Sequence, residues 1–107
     1  MKNALQESLK EAEDKANQDD LNNLYRKIPT RMVETIQEGR YKYTSFKVPN
    51  RLGEALIEPP KKFLRRTPVK PLREEFLTQL ERRFNIPRKD VRVEKDFSNY
   101  LIYIKTR

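Results

Sequence analysis

The sequence predicts an α+β fold: a two-layer domain in which a three-stranded antiparallel sheet packs against two helices, with an N-terminal helical arm. Three patterns predict it. Apolar residues recur at helical spacing over 21–38 and again over 72–84. Residues 41–48 alternate with the two-residue period of a strand. Two short apolar runs near the C-terminus are joined by Asp96, Phe97, Ser98 and Asn99, a composition suited to a hairpin turn.

Taken in order, residues 2–17 carry Leu5, Leu9, Ala12 and Ala16 on one face, an apolar stripe too thin to hold a helix down firmly. Asp19 or Asp20 is placed to cap a second helix, with Leu21, Leu24, Tyr25 and Ile28 on one side. Pro29 lacks an N–H and crowds the turn before it. The stripe resumes at Met32, Val33 and Ile36, so the pattern predicts that the two pieces form one helix kinked at Pro29, closed by Gly39 in the left-handed conformation. In the first strand Tyr41, Tyr43 and Ser45 face one way, and Thr44, Phe46 and Val48 the other. Pro49 ends it. Asn50 is expected to cap a short helical turn carrying Leu52, Leu56 and Ile57, stopped by Pro59 and Pro60.

The best helical periodicity follows, in Leu72, Phe76, Leu77, Leu80 and Phe84, with Asn85 in the closing position and Ile86 folding back. Strands are expected at Val91–Lys95 and Tyr100–Lys105. The expected core draws Leu24, Ile28, Val33 and Ile36 from the first helix, and Leu72, Phe76, Leu80 and Phe84 from the second. The strands supply Phe46, Val48, Val91, Val93, Ile102 and Ile104. The chain thus divides into an acidic helical arm over 1–18 and a single α+β domain over 19–107, with a basic, proline-rich insert at 59–71.

Composition narrows function more than it narrows fold. The 107 residues hold no Cys and no His, so thiolate chemistry, disulfides and the usual general base are excluded. Two glycines cannot build a phosphate-cradling loop, and the three serines, Ser8, Ser45 and Ser98, lie in no nucleophile motif. Glu94 and Asp96 with Lys95 sketch a Mg²⁺ nuclease site, but such sites set acid and lysine two apart on one strand face. Here Glu94 and Lys95 are adjacent and point to opposite faces. The expectation is a non-catalytic protein with no metal site and no cofactor. No apolar run approaches the length of a membrane span, and residues 1–20 have the composition of an acidic helix rather than a signal peptide.

The net charge of +8 is uneven: residues 1–20 sum to −3 and the remainder to +11. Such a field favours polyanions or acidic protein surfaces. The densest cationic stretch is the insert, where Lys61, Lys62, Arg65, Arg66 and Lys70 surround Phe63 with no acid among them. Those cations suit a phosphate backbone, and Phe63 suits stacking on an unpaired base. The plainer reading is a solvated loop kept extended by proline. Arg65, Pro68 and Pro71 also match the short spacing of an SH3 ligand. A second candidate is the first strand, where Tyr41 and Tyr43 alternate with Arg40, Lys42 and Lys47 as in sheet platforms that stack bases. Its plainer reading is a pair of half-buried packing residues. Arg82, Arg83, Arg88, Lys89 and Arg92 form a third cluster around a helix end, where positive charge also suits the helix dipole.

The helix from Ile28 to Gly39, the strand from Arg40 to Pro49, the helix from Phe76 to Ile86 and the terminal hairpin together resemble small α+β proteins encoded by bacteriophages, over about 70 residues. The basic insert departs from the short link usual there. The resemblance implies a viral protein, virion-associated or a modulator of host machinery, in the host cytoplasm or the virion. The expected partners are nucleic acid, bound without sequence preference, or an acidic protein surface within a larger complex. The residues expected to touch the partner are Lys61, Lys62, Phe63, Arg65, Arg66, Lys70, Tyr41 and Tyr43.

Overall fold

The computed structural model describes residues 4–39, 42–59 and 70–106. The insert between 60 and 69, and Tyr41, lie outside them. Three helices, α1 (Ala4–Glu38), α2 (Asn50–Leu56) and α3 (Pro71–Phe84), accompany three strands, β1 (Tyr43–Val48), β2 (Val91–Asp96) and β3 (Asn99–Lys105). The strands form one antiparallel sheet in the order β1-β3-β2. This is the expected α+β architecture, with α2 as a third helix.

Alternation along the strands decides what is buried. Thr44, Phe46 and Val48 of β1, Val91 and Val93 of β2, and Tyr100, Ile102 and Ile104 of β3 all face the helices. Against them pack Leu21, Leu24, Tyr25 and Ile28 of α1, Leu52 and Leu56 of α2, and Phe76, Leu77 and Leu80 of α3. Leu72 and Phe84, expected in the core, sit partly buried at its margin. Helix α2 approaches β3 so closely that a Cβ on Gly53 would lie 2.1 Å from Cγ of Tyr100. Only glycine fits there. The Tyr100 hydroxyl then donates to the carboxylate of Glu54, the next residue.

Helix α1 differs from expectation in two ways. It is continuous from Ala4 to Glu38, so Asp19 and Asp20 cap nothing. Instead Asp20 pairs with Arg51 of α2 at 2.5 Å, and Arg51 also donates to Asn17 at 3.2 Å. These bonds give both acidic-region residues a partner inside the fold. The buried stripe differs too, although the helix continues through Pro29, where one backbone donor is missing, as its resumed pattern implies. At about 100° per residue, an uninterrupted helix carries the buried stripe from Ile28 to Met32 and Thr35. Val33 and Ile36 swing off it and are about half exposed.

Helix ends follow their residue chemistry. Gly39 takes φ 69° and its N–H reaches the Thr35 carbonyl at 3.1 Å. Asn85 closes α3 at φ 57°, ψ 36°, and Ile86 bonds back to the Leu80 carbonyl at 3.2 Å with its side chain buried. Asn50 lies inside α2 rather than capping it, because Pro49 takes the N-cap position. Pro71 starts α3 at the position where a missing N–H costs least.

Candidate binding face

The sheet's second face, turned away from the core, carries Tyr43, Ser45 and Lys47 of β1, Arg92 and Glu94 of β2, and Leu101, Tyr103 and Lys105 of β3. The register brings Ser45 opposite Tyr103, and Tyr103 opposite Arg92. Tyr43 lies opposite Lys105, one diagonal step from Tyr103. The Arg92 guanidinium reaches across to the Tyr43 ring, 5.4 Å from its centroid, and approaches the Glu94 carboxylate at 3.5 Å. Lys47 and Lys105 are exposed and make no ion pair among the described residues.

The C-terminal part of α1 forms a wall beside this face. Arg31 donates to the Ser45 carbonyl at 3.1 Å and lies over the Phe46 ring at 5.5 Å. Because Thr106 N–H bonds the Lys42 carbonyl, alternation turns the main-chain groups of Tyr43, Ser45 and Lys47 toward the open edge of β1. Arg31 therefore covers part of a free strand edge. Between wall and sheet lies a groove of about 530 Å³, lined by Arg31, Glu34, Thr35 and Glu38 of α1 together with Tyr43, Tyr103, Arg92 and Glu94 of the sheet. Its charge is mixed, with the acids on the α1 side and at Glu94.

The residues expected to touch a partner fare differently. Tyr43 lies on this face with just over a third of its surface exposed. Lys70 sits at the start of α3, where its Nζ donates to the Glu54 carbonyl at 2.8 Å. It thereby ties the last turn of α2 to α3, and Arg73 does the same through the Leu56 carbonyl at 2.7 Å. Tyr41, Lys61, Lys62, Phe63, Arg65 and Arg66 lie outside the described residues. The cluster around the end of α3 is dispersed. Arg83 stacks over Tyr25, 4.6 Å from the ring centroid, Arg88 pairs with Glu74 at 2.6 Å, and Arg92 joins the outer sheet face. Among the described residues, no group of three or more acidic side chains is placed to hold a metal ion.

Sequence reasoning nominates Tyr43 on the first strand and Arg92 in a separate cluster around a helix end, but does not bring Tyr103, Arg92 and Lys105 together with Tyr43. The signal for Arg92 was present: a two-residue loop closing at Asp96 and Asn99 fixes the β2–β3 register and sets Arg92 opposite Tyr103. The pairing of β1 with β3 spans half the chain and has no such local marker.

Among the described residues, two phenols have raised pKa values. Burial is the main cause at Tyr25, helped by the negative Glu75 and opposed by Arg83, and its pKa is pushed up to about 12. Its hydroxyl is buried and has no hydrogen-bond partner among the described residues. At Tyr100 the hydrogen bond to Glu54 raises the pKa, with burial and the Glu54 charge adding to it. Neither group lies on the outer face. No protein-family model, curated protein or solved structure matches the chain.

Proposed function

We propose that the protein is a non-catalytic binding module for a polyanion, with single-stranded nucleic acid as the ligand its chemistry fits best. The observation that carries this reading is the pairing of two tyrosines, Tyr43 and Tyr103, on one solvent-facing sheet surface beside Arg92, Lys47 and Lys105. Flat aromatic faces stack on unpaired bases, and flanking cations hold the phosphates between them. The insert adds Lys61, Lys62, Arg65 and Arg66 as further phosphate contacts, with Phe63 as a third stacking ring. Contacts of this kind bind the backbone without reading sequence. A net charge of +8 draws the ligand in from a distance.

The test is a fluorescence titration of a labelled oligothymidylate at low and moderate salt. Affinity is expected to fall steeply with salt, through the release of counterions from the ligand. Tyr43→Ala with Tyr103→Ala is expected to weaken binding at least tenfold at either salt, since each stack is worth about 1–3 kcal/mol. An affinity that barely changes with salt overturns the reading.

A further inference from the structure

The two edges of the sheet are finished differently. Helix α1 runs beside β1 and fills part of its edge with Arg31. On β2 the bonding alternation joins Arg92, Glu94 and Asp96 to β3, which turns the main-chain groups of Val91, Val93 and Lys95 outward. The Val91 N–H is taken by the Arg88 carbonyl. The N–H and C=O of Val93 and Lys95, and the C=O of Val91, have no hydrogen-bond partner among the described residues.

We infer that β2 is a self-association edge, pairing antiparallel with β2 of a second copy about a two-fold axis through Val93, so that two three-stranded sheets join into one of six. The charge pattern selects the partner and the register. Only outward-facing residues can exchange hydrogen bonds, and the symmetric alignments that keep more than one bonded pair within the strand are centred on Arg92, Val93 or Glu94. Centring on Arg92 sets two arginines face to face; centring on Glu94 sets two glutamates face to face and, although it brings Arg92 opposite Asp96, places Val93 against Lys95 on the core side. Centring on Val93 sets Arg92 opposite Glu94 of the second copy, twice over, and joins Val93 to Val93 on the core side. Opposite charges across a strand pair attract and like charges repel. Four main-chain hydrogen bonds form: two between the Val93 residues, and two from Lys95 N–H groups to Val91 carbonyls. Beyond them Asp90 and Asp96 of the two copies oppose each other, which confines the pairing to 91–95.

The inference is independent of polyanion binding and is tested without nucleic acid, by sedimentation equilibrium from about 10 μM to about 1 mM protein. The mass is expected to rise from the 12.9 kDa chain toward twice that value. Moderate salt is expected to favour the dimer, because it screens the repulsion between two chains of charge +8. That is the reverse of its effect on a polyanion ligand. Arg92→Glu and Glu94→Arg, each at an exposed position, are each expected to raise the dissociation constant about tenfold, and the double swap to restore it. Circular dichroism and urea unfolding of each variant establish that the fold is kept. A chain that stays at 12.9 kDa throughout overturns the inference and leaves this edge to an extended segment of a different protein. A dimer indifferent to the single reversals, or one the double swap fails to rescue, overturns it as well.

Discussion

Ile102 and Tyr103 are neighbours on the central strand, yet they belong to opposite sides of the molecule. Ile102 has no solvent exposure and packs among the helices, while Tyr103 is half-buried on the far side beside Arg92 and Ser45. The same contrast repeats along β1, where Thr44, Phe46 and Val48 are buried and Tyr43, Ser45 and Lys47 are exposed. One pleat thus separates the residues that carry the core from those on the proposed binding face. Either set can then change in sequence with little effect on the other.

The sharpest way to break that separation is truncation of the two neighbours. Ile102→Ala is expected to cost about 4 kcal/mol in urea unfolding, from lost transfer energy and the cavity left behind. Tyr103→Ala is expected to cost less than about 1 kcal/mol while weakening oligonucleotide binding. Comparable losses from both would mean that the outer face also carries the fold.

Gly53→Ala comes next, with an expected loss of about 3 kcal/mol. The new methyl group meets the Tyr100 ring, held on one side by the sheet and tied by its hydroxyl to Glu54. A tolerated alanine would show that α2 can lift away from β3 at little cost.

The smallest effect is reserved for Tyr25→Phe. At neutral pH it is expected to leave stability unchanged or raise it by about 1 kcal/mol, since the hydroxyl it removes is buried without a partner among the described residues. A phenol whose folded pKa of about 12 exceeds the ordinary value of 10 adds stability that is complete below pH 10 and disappears as pH climbs to about 12. The variant is therefore expected to flatten the alkaline fall in unfolding midpoint over that window. An equally steep fall in both proteins would place the titrating group elsewhere.

Much of the fold was legible because its signals are local. The alternation of β1, the Asn85 closure with Ile86 folding back, and the hairpin all follow from residues within a few positions of one another. Asp19 and Asp20 misled because their short carboxylates suit an N-cap, whereas here α1 runs on through both. The short helix α2 contributes two fully buried leucines that its seven-residue length made easy to undervalue. The outer face was half legible: Tyr43 stands out in its strand, but its neighbours Tyr103 and Arg92 are brought to it by a strand pairing that no nearby residue encodes.

The exposed start of α1 has a kinetic consequence. Residues 4–15 carry no buried side chain, and at 1.5 Å per residue they extend for about 18 Å along a molecule whose long axis is 55 Å. Negative charge gathers toward one tip and positive charge in the bulk, so the molecule is a permanent electric dipole. Under the binding mode proposed above, a polyanion's field would turn the molecule tip trailing before contact, and productive collisions would make up a larger share of all encounters than random orientation allows.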